Sequence, residues 1–279
     1  EIPEGGKTAK GRAIQNMINL PKDDKVMAYV NTKDLKDEEF INSHFIVMCT
    51  KKGVVKKTSL EQYSRPRTNG INAITIREGD QLLEAKMTTG SSQIMMAVKS
   101  GKSIRFEEEK VRSMGRTAAG LRGIRLADDN DEVIGMICID DLESSVLVVS
   151  DNGYGKRSAV EDYRITNRGG KGVKTISITD KTGNLVSIKN VTDEDDLMII
   201  NKSGVAIRLA VENLRVMGRA TQGVRLINLK GNDSIAAVAK VMREDEEDIE
   251  VTEGLEEESV QDVNTTKTDG TTIDTQEEE

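Results

Sequence analysis

The chain has 279 residues, 36% hydrophobic, 32% charged and only 3% aromatic, with a formal net charge of −8. Two cysteines and one histidine are too few for a disulfide framework or a common zinc site, and no apolar run approaches the roughly 18 residues that a spanning helix needs. The charge is unevenly placed: residues 1–241 hold 38 basic and 32 acidic residues, a net of +6, whereas 242–279 hold sixteen acids against Arg243 and Lys267, a net of −14.

The first 43 residues carry only the second half of a pattern, a basic stretch around Gly11, that becomes complete farther on. Apolar runs at 44–50, 93–98, 145–150 and 196–201 each lead into a polar turn whose glycines, Gly53, Gly101, Gly153 and Gly204, are 48, 52 and 51 residues apart. Four residues after each glycine the side chain is basic (Lys57, Arg105, Arg157, Arg208), and eight residues after it is glutamate (Glu61, Glu109, Glu161, Glu212). A second glycine, at Gly70, Gly120, Gly172 and Gly223, precedes another apolar segment in each unit, and Gly11 stands at the same place in the partial one. A period of this length marks a solenoid, propeller or similar array.

Short β-branched runs separated by Gly, Asn and Asp turns are strand and hairpin chemistry, and residues 1–241 contain no amphipathic helical stretch of twelve. About fifty residues with four strands make one propeller-type blade, which buries its faces only against neighbouring blades. The predicted fold is therefore all-β: a propeller-like array of about five to six four-stranded blades, with a partial blade over 1–43 and repeats over 44–91, 92–143, 144–193 and 194–241. Residues 242–279, poor in apolar side chains, are expected to be a disordered acidic tail, tethered where it can compete with a polyanion for the basic repeats.

Several enzymatic readings fail on the residues. Gly6-Lys7-Thr8 and Gly101-Lys102-Ser103 end like phosphate-binding loops, but Glu1 and Met96 stand where the first glycine is required. Gly153-Tyr154-Gly155 lacks the third glycine of a dinucleotide fingerprint, since Ser158 occupies it. His44 reads as a strand-end residue, Cys49 and Cys138 as buried reduced thiols in strands, and Tyr63 and Tyr163, ten residues past their turn glycines, as packing residues replaced elsewhere by Val111 and Leu214. The glutamates at offset eight read as structural partners of the cations at offset four. No catalytic constellation and no metal site is expected, and the reduced cysteines point to the cytoplasm.

The basic loops are the exception. Lys7, Lys10 and Arg12 lie in the partial unit; Arg65 and Arg67 follow in the first full one; then come Arg112, Arg116, Arg122 and Arg125; Arg164, Arg168, Gly169, Gly170, Lys171, Gly172 and Lys174; and Arg215, Arg219 and Arg225. Blades set around an axis would bring these loops into one band that neutralises phosphates along a curved path, with glycine amides free to approach phosphate oxygens. Single-strand binders stack bases on aromatics, and with four tyrosines, three phenylalanines and no tryptophan the expected ligand is duplex DNA, bound with little base specificity and governed by deformability.

The segments Gly153-Tyr154-Gly155-Lys156-Arg157, Glu161-Asp162-Tyr163-Arg164 and Asn167-Arg168-Gly169-Gly170-Lys171-Gly172, with Met114-Gly115-Arg116 and Met217-Gly218-Arg219, resemble the C-terminal domain of the DNA gyrase A subunit over residues 1 to about 241. The resemblance implies a β-pinwheel that wraps duplex DNA around a basic rim and so supports ATP-dependent negative supercoiling. It implies as partners a breakage-reunion domain earlier in the same polypeptide, which carries the DNA-cleaving tyrosine, and a B subunit that handles ATP and Mg2+; no cofactor is expected in these residues themselves. The family's box motif, QRRGGKG, is expected before Glu1, since Asn167 to Gly172 lacks its glutamine and first arginine and belongs to a later repeat. The related C-terminal domain of topoisomerase IV and a propeller serving as a protein-interaction platform are the alternative readings.

Overall fold

A computed structural model describes residues 10–13, 16–18, 20, 21, 23–32 and 34–243. Lys7 and the acidic segment after Arg243 lie outside the described residues. After a one-turn helix, α1 (Glu38–Ser43), capped by the Asp37 carboxylate on the amides of Glu39 and Phe40, the described chain is built of strands and short 3-10 turns. Among the described residues no helix is long and apolar enough to cross a membrane.

Each unit begins with a hairpin: β1 (Phe45–Thr50) with β2 (Val54–Ser59), β4 (Gln93–Val98) with β5 (Lys102–Glu107), β8 (Ser145–Ser150) with β9 (Tyr154–Ala159), and β12 (Asp195–Asn201) with β13 (Ala206–Ala210). The turn glycines close these hairpins at φ +84, +80, +79 and +87, a left-handed conformation that a Cβ disfavours. Each amide returns to the residue three before, as Gly53 N does to Thr50 O at 3.0 Å. This is a three-residue hairpin loop with its glycine in the left-handed position.

A longer strand then pairs with the far side of the first one: β3 (Leu82–Thr88), β7 (Val133–Ile139), β11 (Leu185–Val191) and β15 (Ile235–Met242). These four pack beside one another in chain order and form the hub. The fourth strand of a sheet does not come from its own unit. Two-residue strands β6 (Leu121–Arg122), β10 (Val173–Lys174) and β14 (Val224–Arg225) pair antiparallel with β2, β5 and β9, so each is donated by the following unit to the blade before it. The fourth sheet has three strands among the described residues, in the order β13-β12-β15. A two-residue strand carries no readable alternation, which is why the sequence shows four strands per unit but not that one of them crosses to a neighbour.

The apolar runs of the first strands are continuous because both faces are covered. Along β4, Ile94, Met96 and Val98 pack with Val47, Cys49 and Val55 of the preceding blade, and the alternate residues Met95 and Ala97 pack with Val146 and Val148 of the next. Along β8, Leu147 and Val149 face Leu197 and Ile199 in turn. The core therefore lies between blades. Cys49 is a buried free thiol and Cys138 a half-buried one, both pushed upward in pKa first by burial. His44 caps α1 at the start of β1, with Nδ1 2.8 Å from Phe40 O.

Candidate nucleic-acid interface

The last three basic loops are held at both ends by the preceding blade. Each first meets the second strand of that blade in parallel, at Lys57–Ser113, Arg105–Ile165 and Arg157–Val216, with Met114 N, Thr166 N and Met217 N donating to Lys57 O, Arg105 O and Arg157 O at 2.9, 2.9 and 2.8 Å. The chain then arches outward and returns as the donated strand. At the return stand Gly120, Gly172 and Gly223, at φ +91, +72 and +81. A Cβ on them would lie 2.8, 2.4 and 2.5 Å from the carbonyl oxygens of Val55, Ser103 and Gly155. Beyond it, Gly53 O, Gly101 O and Gly153 O take the amides that follow, such as Gly123 N at 2.8 Å and Thr175 N at 2.9 Å.

Successive loops also bond to each other, at corresponding positions. Thr75 N donates to Ala118 O (3.3 Å), Arg125 N to Gly170 O (2.8 Å) and Ser177 N to Thr221 O (3.1 Å). In return Arg116 Nη1 donates to Asn72 O (3.3 Å), Arg168 Nη1 to Arg122 O (3.1 Å) and Arg219 Nη1 to Lys174 O (2.9 Å). The four loops thus form one hydrogen-bonded band along the edge opposite the hub.

On this band Arg65, Arg67, Arg112, Arg122, Arg125, Arg164, Lys171, Lys174, Arg215 and Arg225 are exposed, whereas Arg116, Arg168 and Arg219 are half-buried. The predicted cationic residues are therefore brought together, but they divide into two groups: outward-facing side chains and those spent on neighbouring carbonyls. Arg225 is partly spent too, donating to Tyr154 Oη at 2.9 Å, a bond that lowers the phenol's pKa. Lys10 and Arg12 are exposed outside any strand. Gly169 and Gly170 lie on the band, and with Ser103, Arg164, Asn167 and Lys171 among its lining residues the loop has a concave face of about 200 Å3.

The expected pairing of offset four with offset eight is corrected: each of the four cations bonds another partner. Lys57 Nζ lies 2.9 Å from Glu108 Oε1 in the following unit, not on Glu61. Arg105 Nη1 donates to Val160 O and Tyr163 O at 2.7 and 2.9 Å, and Arg157 to Leu214 O and Asp193. Each of these cations ties its blade to the 3-10 turn region of the next unit, because the strand ends there and the chain turns Glu61, Glu109 and Glu161 outward to solvent. Arg208 keeps its bond within the last blade, Nε to Asp196 Oδ2 at 2.7 Å. Tyr163 is buried, with Oη 2.7 Å from Thr175 Oγ1, and Tyr63 is half-buried, donating to Ala73 O at 3.2 Å, as packing residues.

The family described as DNA gyrase C-terminal domain, beta-propeller, matches residues 1–31, 44–88, 92–140, 144–192 and 195–242. The chain belongs to this family. The DNA gyrase A subunit of Staphylococcus aureus is 45% identical over 249 residues, which cover 89% of this chain and 27% of the relative, and that of Staphylococcus epidermidis is 44% identical over 247 residues, 88% and 27%. The chain thus spans about a quarter of the length of these curated relatives. In fold it is similar to the crystal structure of the C-terminal domain of DNA topoisomerase IV (TM-score 0.76, 21% identity, 83% of this chain and 71% of that one) and to the DNA gyrase A C-terminal domain (TM-score 0.73, 22% identity, 84% and 76%). Those identities speak for fold alone; the 44–45% relatives are gyrase A subunits.

Within this gyrase-type domain two residues escaped the sequence reading. Lys56 and Lys156, three past their turn glycines where Ile104 and Ile207 stand in the other units, have 0% and 1% exposure. Lys56 Nζ donates to Ala73 O and Arg116 O, and Lys156 Nζ to Gly218 O at 2.7 Å, so each ammonium holds a loop from beneath. The alternation of lysine and isoleucine at that offset was the signal that marks them. Burial pushes both amines down to about 8, while in the unfolded chain they titrate near 10.4. Between these values the unfolded state binds more protons, so the two lysines make stability rise with pH across that window. The melting temperature of wild type relative to Lys156→Met should therefore increase from pH 7.5 to 9.5; a constant difference would contradict it.

Proposed function

We infer that the chain binds duplex DNA without base specificity and wraps it with one preferred hand around its rim, as the DNA-wrapping part of a gyrase A subunit. It supports ATP-dependent negative supercoiling in the bacterial cytoplasm, on the nucleoid. Strand cleavage belongs to a breakage-reunion domain earlier in the same polypeptide, and ATP and Mg2+ to a B subunit.

The observation that carries this reading is the row of exposed arginines and lysines on successive loops bonded into a single band. A row of cations at blade spacing fits a polyanion of regular charge spacing, and the scarcity of aromatics disfavours stacking on unpaired bases. If about eight phosphates are neutralised, log affinity should fall against log salt with a slope of about −7. Replacing Arg112, Arg122, Arg164, Lys171 and Arg215 by alanine should flatten the slope by about 4 and weaken binding to all sequences alike. An unchanged slope in the folded variant would remove the rim from DNA binding and favour a protein-interaction platform.

A further inference from the structure

We propose that Arg116, Arg168 and Arg219 are couplers between successive rim loops, which fix the spacing and tilt of the phosphate-binding faces and thereby set how strongly DNA is bent, while the exposed cations supply affinity. This rests on the wrapping reading. Each of the three stands four residues before its return glycine, and each donates to the carbonyl two residues after the return glycine of the preceding loop: Asn72, Arg122 and Lys174. The backbone answers in register, since the amide five residues after one return glycine bonds the carbonyl two before the next, at Thr75–Ala118, Arg125–Gly170 and Ser177–Thr221. At the central junction Arg168 chelates two carbonyls, Nε to Lys110 O at 3.0 Å and Nη1 to Arg122 O at 3.1 Å, and Gly169 N adds a bond to Gly123 O at 2.6 Å.

Away from these bonds the last three loops are each held to the preceding blade by a parallel bridge and a two-residue strand. The blade cores fix the hub, not the outer arc of the loops. Bent DNA pushes back on whatever holds it, and a rim whose loops slide against each other would let the duplex relax toward a straighter path. A guanidinium suits the coupler because its planar fork bonds two acceptors at fixed angles; an ammonium on a flexible stem carries the same charge without that geometry.

Arginine-to-lysine exchange therefore separates coupling from charge. The triple variant R116K/R168K/R219K should keep the wild-type salt slope to within about one unit. It should lose more than half of the linking-number change left when circular DNA is relaxed in the presence of the chain. Deuterium exchange at the amides of Thr75, Arg125, Gly169 and Ser177 should accelerate, with R168K alone giving an intermediate result confined to the central junction. Wild-type wrapping and unchanged exchange in the triple variant would overturn the coupling role, and so would lost wrapping with unchanged exchange, which would make these arginines direct ligands of the bent duplex. Wild type that binds DNA but leaves no linking-number change removes the wrapping reading itself, and the proposal with it.

Discussion

Alanine in place of Gly172 should cost the chain about 3 kcal/mol, at the upper end of what single substitutions do through backbone strain, whereas alanine in place of Gly70 should cost about 1 to 2 kcal/mol. Both glycines have φ near +75, at +72 and +78, so the intrinsic penalty of a left-handed residue is common to both. The difference lies in what the new methyl meets. At Gly70 there is nothing within 4 Å, but at Gly172 the Cβ would sit 2.4 Å from Ser103 O and 2.8 Å from its carbonyl carbon. Ser103 has 0% exposure in the middle of a packed sheet, and its backbone cannot retreat without disturbing both blade interfaces. The cheaper response is for β10 to leave β5. Urea denaturation gives the two costs, and deuterium exchange at Thr175 N and Ile176 N, which now donate to Gly101 O at 2.9 and 3.3 Å, shows whether the donated strand has detached. Equal costs for the two alanines would mean that the return glycines serve turn conformation alone and not close approach.

That contrast shows what a sequence of this kind displays and what it hides. The period, the hairpins and the inter-blade core were legible because they rest on local rules. A glycine in a left-handed turn is required wherever the turn recurs, and an apolar run buried on both faces shows no alternation whichever neighbour covers it. The cations at offset four were legible as a repeated feature, yet their partners were not. Sequence proximity favoured Glu61 for Lys57, while the structure supplies Glu108, 51 residues on, and gives Arg105 main-chain carbonyls that no side-chain pattern encodes. The same holds for Arg116, Arg168 and Arg219. In the sequence they are indistinguishable from Arg112, Arg164 and Arg215 as members of a basic loop, and only the neighbouring loop's carbonyls, set beside them by strand donation, tell the two groups apart.

The cations at offset four also give the second large expected effect. Arg105→Met should destabilise the chain by about 3 kcal/mol, because it strands buried acceptors, each worth about 1 to 3 kcal/mol when left unpaired. Arg105 is 5% exposed and its guanidinium bonds Val160 O, Tyr163 O and, through Nε at 2.8 Å, Gln93 Oε1; methionine replaces much of its volume and none of its donors. Arg208→Met, at the corresponding place in the last blade, should cost less, about 1 kcal/mol, since that side chain is 40% exposed and its partner Asp196 is 10% exposed. In an array whose stability is a sum of blade terms and interface terms, the Arg105 loss falls on the interface between the second and third blades. It should therefore do more than lower a single midpoint: the transition in urea should broaden as the halves on either side unfold less cooperatively, and native-state exchange in β8 and β9 should separate from that in β1 and β2. Matching costs for Arg105→Met and Arg208→Met, with one sharp transition in each, would show that these cations are ordinary surface charges and that the blades are held together by their apolar faces alone.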